Sequence, residues 1–141
     1  MFNRSLNRLM RALFEPRHWK TAFKIFWVCK TPIEYFRRYV FSVGMYPWSF
    51  EIRTPVGIYT LVLLRFEDIF TVNEIFLWEI YSVNKHSLVF LDIGGNVGLA
   101  SLYFLTRSQN SRGVLVEPLE HNIVRARNQL SDFKDRVEFL N

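Results

Sequence analysis

The stretch LVFLDIGGNVG, residues 88–98, decides the fold class. Its first four residues form a short, continuous apolar run, which is typical of a strand buried on both faces of a parallel sheet. The glycines that follow indicate a tight turn, and the apolar residues beyond Gly98 predict a helix from about Leu99 to Arg107. We therefore expect a strand, a glycine-rich turn and a helix in that order.

The alternation of strand and helix continues through the rest of the sequence. Residues 113–116 predict a second strand, residues 118–130 a second helix, and residues 137–140 the beginning of a third strand. A β-α-β-α-β order is half of a doubly wound parallel sheet. The predicted fold class is therefore α/β, with a partial doubly wound, Rossmann-like sheet.

A β-hairpin and a helix are predicted before this sheet. Two extended runs, residues 49–53 and 58–64, flank Thr54-Pro55-Val56-Gly57, in which the positions of Pro and Gly suit a type I turn. Thr71 and Glu74 then match a capping box. The pattern predicts a helix that begins there and ends near Asn84.

The amino-terminal part of the sequence predicts three short amphipathic helices, separated by Pro16 and Pro32. The apolar residues at helical spacing are Leu6, Leu9, Met10, Leu13 and Phe14; Trp19, Phe23, Phe26 and Trp27; and Phe36, Tyr39, Val40 and Val43. Gly44 and Pro47 end this part. We therefore divide the chain into a basic helical segment, residues 1–47, and a second segment, residues 48–141, that holds the hairpin, the helix and the parallel sheet.

The positive charge is concentrated in the first of these segments. Residues 1–40 contain nine Lys and Arg and two acidic residues, whereas residues 41–141 contain nine and eleven. Such a basic segment could lie on an anionic membrane surface, with Trp19 and Trp27 as interfacial anchors, or cover a partner or substrate groove. In the interpretation that we favour, its apolar stripes pack on the domain and its Lys and Arg side chains are solvated. A globally basic nucleic-acid module is not expected, because the rest of the chain is near neutral.

The composition also restricts the compartment and the chemistry. Cys29 is the single cysteine and the three histidines are scattered, so neither an internal disulfide nor a metal cluster is expected. The longest uncharged runs fall well short of the ~18 residues that a transmembrane helix requires. The predicted location is a reducing cytoplasm. Cys29 is predicted to lie in the core, and His121 to be a solvated helix residue.

The candidate site is the turn Asp92-Ile-Gly94-Gly95-Asn96-Val-Gly98. Gly94 and Gly95 allow the chain to pass close to a ligand, and Gly98 allows the helix to pack tightly on the strand. Glu117 follows the second strand, 23 residues after Gly94, which agrees with the ~20-residue interval at which a carboxylate reaches ribose hydroxyls in such units. The pattern predicts a nucleoside-type cofactor.

The charge of the turn distinguishes between cofactors. The dinucleotide fingerprint G-x-G-x-x-G is not matched, and Asp92 sets a negative charge where a diphosphate would lie, so binding of NAD or FAD is disfavoured. The same charge suits a cofactor that carries an ammonium and a sulfonium. We therefore expect S-adenosylmethionine.

These residues resemble a known family. Asp92-Ile-Gly-Gly-Asn-Val-Gly98, followed by Val116-Glu117-Pro118 and then Asn122, resembles the FkbM family of S-adenosylmethionine-dependent methyltransferases, and TVNEIF, residues 71–76, is similar to the family's segment before the first core strand. The resemblance runs from about Phe50 to Asn141. Gly95 stands where the family often has alanine, which we interpret as a small-for-small change.

The resemblance implies both an activity and roles for the residues. Asp92 and Gly94 would lie beside the methionine part of the cofactor, with Gly95, Asn96 and Gly98 in the same turn, and Glu117 would hold the ribose hydroxyls. The implied reaction is methyl transfer to a hydroxyl oxygen of a small molecule or glycan. No catalytic base is identifiable.

Family members continue through further strands that carry the acceptor pocket, so the sequence is interpreted as a truncated, cofactor-binding portion. The alternative is a catalytically inactive remnant or a cofactor-binding module, which residues 1–40 could attach to a membrane surface. The edge next to the strand at residues 88–91 would then be open. We therefore also expect self-association.

Overall fold

The computed structural model describes residues 16–83 and 88–141, with the backbone alone for residues 16–20. The helix predicted over residues 6–14 lies outside the described residues. The chain falls into two compact units, one formed by residues up to 53 together with 58–78, and one formed by residues 54–57 together with 79–141. The predicted division between residues 47 and 48 stays a prediction.

The first unit consists of short helices and a two-stranded antiparallel hairpin. Its elements are α1 (Pro16–Val28), α2 (Pro32–Phe41), β1 (Trp48–Thr54), β2 (Gly57–Leu63), α3 (Asp68–Val72) and a π-helical turn (Asn73–Leu77). Tyr35, Ile52 and Leu61 are fully buried in its core, as is Cys29, which confirms the prediction for the cysteine. The second and third predicted amphipathic helices and the hairpin are therefore present.

The helix expected to begin at Thr71 begins earlier. The carboxylate of Asp68 accepts hydrogen bonds from the amides of Leu64, at 2.8 Å, and Arg65, at 3.3 Å. This side chain organises the turn before α3, and Thr71 lies inside the helix. The capping box predicted for Thr71 and Glu74 is therefore wrong, because Asp68 supplies the turn that starts the helix.

The same helix also ends earlier than expected. The amide of Trp78 donates to the carbonyl oxygen of Asn73 at 2.7 Å, which closes a π-helical turn instead of another α-helical one. Glu79 then adopts a left-handed backbone conformation with φ of 52°. Such a residue commonly ends a helix. The end predicted near Asn84 is therefore wrong.

The buried stripe of α1 differs from the prediction. Thr21, Ile25 and Cys29, which follow one another at intervals of four residues, are completely buried. The aromatic side chains of Phe23, Phe26 and Trp27 are instead 57–69% exposed. The interpretation that this aromatic stripe packs on the domain is thus wrong for these three residues, because smaller side chains on the opposite face of the helix fill the core.

The second unit contains the predicted parallel sheet. Its elements are β3 (Val89–Ile93), α4 (Leu99–Leu105), β4 (Arg112–Val116), α5 (Glu120–Gln129), a 3₁₀ turn (Ser131–Phe133) and β5 (Val137–Leu140). The strand order is β3-β4-β5 and both pairs are parallel, with Phe90 opposite Gly113 and Val114 opposite Glu138. The α/β class is therefore confirmed.

The helices of this unit cover one face of the sheet. The connections from β3 to β4 and from β4 to β5 are right-handed crossovers that both step toward the same edge of the sheet. They therefore place α4 and α5 on the same side of the sheet. Phe90, Leu115 and Val137 are buried on that side, whereas Val89, Leu91 and Ile93 on the other side are exposed. The prediction that the first strand is buried on both faces is therefore wrong.

Self-association stays a prediction, and the edge of the sheet provides its test. Among the described residues β3 pairs with β4 alone, and an apolar edge strand is a template for pairing with another chain. We expect Leu91→Lys to reduce self-association of the full chain, because a charge on an edge strand opposes docking of a second strand. Light scattering on both proteins checks this, and an unchanged mass distribution would contradict it.

No helix among the described residues is both long enough and apolar enough to cross a bilayer.

Candidate functional site

The glycine-rich turn after β3 is tied to the end of β4. The amides of Gly94 and Gly95 both donate to the carbonyl oxygen of Val116, at 2.8 and 3.0 Å. Gly94 and Gly98 have φ of 76° and 81°, and Asn96 has φ of 48°. These left-handed conformations favour glycine and, among other residues, asparagine. The turn therefore needs the residue types that the sequence places there.

The Glu117 carboxylate closes this turn from the neighbouring strand. It is 5% exposed. One oxygen, Oε2, accepts the amide of Asn96 at 2.9 Å, and Oε1 accepts the amide of Leu119 at 3.0 Å and the side-chain amide of Asn122 at 3.3 Å. The predicted site residues Asn96, in the turn after β3, and Glu117, directly after β4, are thus joined at the carboxyl ends of the two strands.

The hydrogen bonds also determine the charge state of Glu117. Burial acts to raise the pKa of this carboxyl, but the hydrogen bonds from the amides of Leu119 and Asn96 outweigh it and hold the pKa below its ordinary value. Amide donors stabilise the ionised form more than the neutral form. Glu117 is therefore an anion at neutral pH.

Asp92 is held by a residue that the sequence analysis did not single out. Ser101 is completely buried and its hydroxyl donates to Asp92 Oδ2 at 2.6 Å. Ser101 lies three residues after Gly98, on the first turn of α4, and is the one hydroxyl among the aliphatic residues at the start of that helix. A buried polar residue in an otherwise apolar helix requires a partner, and that signal could have identified it.

Three glycines of the turn differ in the space around them. A Cβ built on Gly94 would have no atom within 4 Å, whereas one on Gly95 would lie 2.4 Å from Leu115 Cγ. One on Gly98 would lie 3.1 Å from Leu130 Cδ1 and 3.3 Å from Ala126 Cβ, so the close approach at this glycine is to α5 and the residue after it, whereas packing of a helix on the strand was predicted. The structure has no room for a side chain at Gly95, so the interpretation of Gly95 and alanine as equivalent is wrong here.

Three further features of the described residues lie outside the glycine-rich turn: His121, the possible metal ligands and a surface depression. His121 is exposed on α5, as predicted. No group of three or more His, Cys, Asp or Glu side chains in the described part of the chain could hold a metal ion. A depression of about 510 Å³ is lined by Lys134 and by residues at the amino-terminal ends of the strands, among them Val89, Arg112 and Val137. That depression therefore lies at the opposite end of the strands from the candidate site.

Comparison with known proteins gives one informative similarity. The chain is 35% identical over 92 residues to the AMB antimetabolite synthetase AmbE of Pseudomonas aeruginosa. The match covers 62% of this chain and 4% of that protein, so the chain corresponds to a small part of its relative's length. No protein-family model matches the chain. The chain is thus a distant relative of part of a biosynthetic enzyme.

Proposed function

We propose that the second unit is the cofactor-binding part of an S-adenosylmethionine-dependent methyltransferase of FkbM type, with a Rossmann-like sheet. The observation that carries this proposal is the buried Glu117 carboxylate, which meets the glycine-rich turn at the carboxyl ends of two parallel strands. Ligands of open α/β sheets bind at that end of the strands. The distant similarity to a synthetase favours an enzyme.

The one acceptor position that remains on Glu117 suits a ribose hydroxyl. A carboxylate has about four acceptor positions on its two oxygens. Three are used by Asn96, Leu119 and Asn122, which leaves one on Oε2. The proposed role of Glu117 is therefore to accept one ribose hydroxyl while it holds the turn in place.

Gly94 and Asp92 suit the methionine part of the cofactor. The open space beside Gly94 allows a ligand to approach the backbone. Ser101 holds one oxygen of Asp92, and the other oxygen has no hydrogen-bond partner among the described residues. Its negative charge would attract a cationic group of the ligand. When bound, S-adenosylmethionine would supply an electrophilic methyl group for a hydroxyl oxygen of a small molecule or glycan.

Calorimetric titration of the full chain with S-adenosylmethionine tests the proposal. We expect saturable binding, and we expect Asp92→Asn to weaken it at least ~5-fold, because a charge pair near a protein surface contributes about 1 kcal/mol or more. Asparagine keeps an oxygen that can accept the Ser101 hydroxyl, so the fold should be retained. Glu138→Gln removes one charge from an exposed position on β5 and is the matched control.

A second ligand separates recognition of the sulfonium from recognition of the rest of the cofactor. S-adenosylhomocysteine has the same nucleoside and amino acid parts but no sulfonium charge. Asp92→Asn should therefore reduce the preference of the protein for S-adenosylmethionine over S-adenosylhomocysteine. Absence of binding to either ligand, or equal affinities of the native protein and Asp92→Asn, would contradict the proposal. Binding without methyl transfer from labelled cofactor would favour a cofactor-binding module.

A further inference from the structure

Helix α1 presents an aromatic surface to solvent. Phe23 is 69% exposed, Phe26 57% and Trp27 68%. Phe23 and Trp27 are one helical turn apart, and the centroids of their rings are 6.4 Å apart. We call these three side chains the aromatic face of α1. Exposed apolar residues are normal when they occur singly, but a contiguous group marks an interaction site.

Helix α1 is well packed on its opposite side, although its aromatic face is exposed. Thr21, Ile25 and Cys29 are completely buried. Trp78 of the same unit donates a hydrogen bond from its indole nitrogen to the Thr21 hydroxyl at 2.6 Å. The orientation of α1 is therefore determined by buried contacts, and the aromatic face points outward because the core is already filled by the other side.

The helix that carries the aromatic face has a positive net charge. Helix α1 contains Arg17, Lys20 and Lys24 and no acidic residue. The wider segment, residues 1–40, has nine Lys and Arg against two acidic residues. Aromatic side chains together with Lys and Arg are the combination that binds in the headgroup region of an anionic bilayer, where the rings enter the boundary with the acyl chains. A surface of this charge is complementary to anionic lipid.

We propose that the aromatic face of α1 docks on an anionic lipid surface, with the helix lying parallel to that surface. Phe23, Phe26 and Trp27 enter the interfacial layer, and the positive net charge of the helix attracts the anionic headgroups. This inference does not depend on the proposed cofactor, because it involves the first unit alone. It would bring a methyltransferase to acceptors at a membrane surface.

Co-sedimentation of the full chain with lipid vesicles tests this proposal. The probes are vesicles of phosphatidylcholine with about 30% phosphatidylserine and vesicles of phosphatidylcholine alone, because only the former carry the negative surface potential. We expect strong binding to the former and weak binding to the latter. An increase in ionic strength from about 0.1 to 0.5 M should weaken the binding, because salt screens the charges.

Substitutions in the aromatic face identify the surface. We expect Phe23→Ala combined with Trp27→Ala to reduce the partition coefficient at least ~10-fold, since both side chains lose their apolar contact with the bilayer. Lys24→Gln should reduce it about fivefold, as expected for one lysine near an anionic surface. Ile80→Ala combined with Val124→Ala removes exposed apolar side chains from the second unit and is the matched control. Circular dichroism of each variant checks that the fold is retained.

Three results would overturn the proposal. The first is a native protein that does not bind anionic vesicles, and the second is a Phe23→Ala, Trp27→Ala variant that binds them as well as the native protein. The third is a change in the oligomeric state of that variant without a change in vesicle binding, which would assign the aromatic face to a second copy of the chain. A folded variant with normal affinity for S-adenosylmethionine and reduced vesicle binding would support this proposal separately from the cofactor site.

Discussion

Glu117→Ala is expected to lower the free energy of unfolding of the second unit by about 2–4 kcal/mol, because each hydrogen bond to a charged group contributes ~1.5–3 kcal/mol. The substitution leaves the amides of Asn96 and Leu119 and the Asn122 side chain without this acceptor. Urea unfolding followed by circular dichroism measures the effect. Glu138→Ala, at an exposed position of β5, should change the free energy of unfolding by less than about 0.5 kcal/mol. Equal effects of the two substitutions would contradict a structural role for Glu117.

The same carboxylate should make the stability of the second unit depend on pH. The pKa of Glu117 is lower in the folded protein than its ordinary value. Its contribution to stability is therefore complete above the unfolded pKa of ~4.3, and it is lost as the pH falls through the lower, folded value. We expect Glu117→Gln to flatten the acid limb of a plot of unfolding free energy against pH. An unchanged acid limb would show that other carboxyl groups cause the acid sensitivity.

Gly95→Ala is expected to destabilise the second unit by about 1–3 kcal/mol, the usual effect of overpacking a core. The new Cβ would lie 2.4 Å from Cγ of Leu115, which is completely buried. Thermal or urea unfolding measures the loss. If Gly95→Ala leaves the free energy of unfolding unchanged, the turn can move away from Leu115, which would contradict this prediction.

A double-mutant cycle identifies the physical cause of this loss. Leu115→Ala alone should cost about 2–5 kcal/mol because it creates a cavity. In the double variant the alanine Cβ at position 95 enters that cavity, so the combined loss should be at least about 1 kcal/mol smaller than the sum of the single losses. Gly94→Ala is the matched comparison, since its Cβ meets no atom within 4 Å and its cost comes from the φ of 76°. Leu115→Ala should not relieve it.

The order of elements in the second unit could be predicted because local patterns determine it. The short apolar run of β3, the glycines after it and the apolar helix α4 each have a distinct periodicity, and the same holds for β4, α5 and β5. The candidate site followed from this order, since the ends of two parallel strands at one edge bring the Asp92 turn and Glu117 together. The direct contact between Asn96 and Glu117 agrees with that argument.

Predictions that required knowledge of neighbouring elements were less successful. Thr71 and Glu74 fit a capping box locally, but Asp68 starts the helix because its carboxylate reaches the amides of Leu64 and Arg65. Ser101 was not identified, because its hydrogen bond joins α4 to Asp92 on β3, nine residues earlier. Contacts of this kind depend on how elements meet in space, which a single sequence pattern does not contain.

The sequence by itself determined the order of helices and strands in the second unit and which residue types occupy the turn after β3, because backbone sterics and hydrophobic periodicity act over a few neighbouring residues. Tertiary structure decided which faces are buried. In α1 the aromatic stripe was the more hydrophobic side, yet Thr21, Ile25 and Cys29 lie in the core. In β3 the residues on both sides are apolar, yet the helices cover one side alone. In α1 the space left in the core selected the face with the smaller side chains, whereas in β3 the handedness of the crossovers decided which side the helices cover.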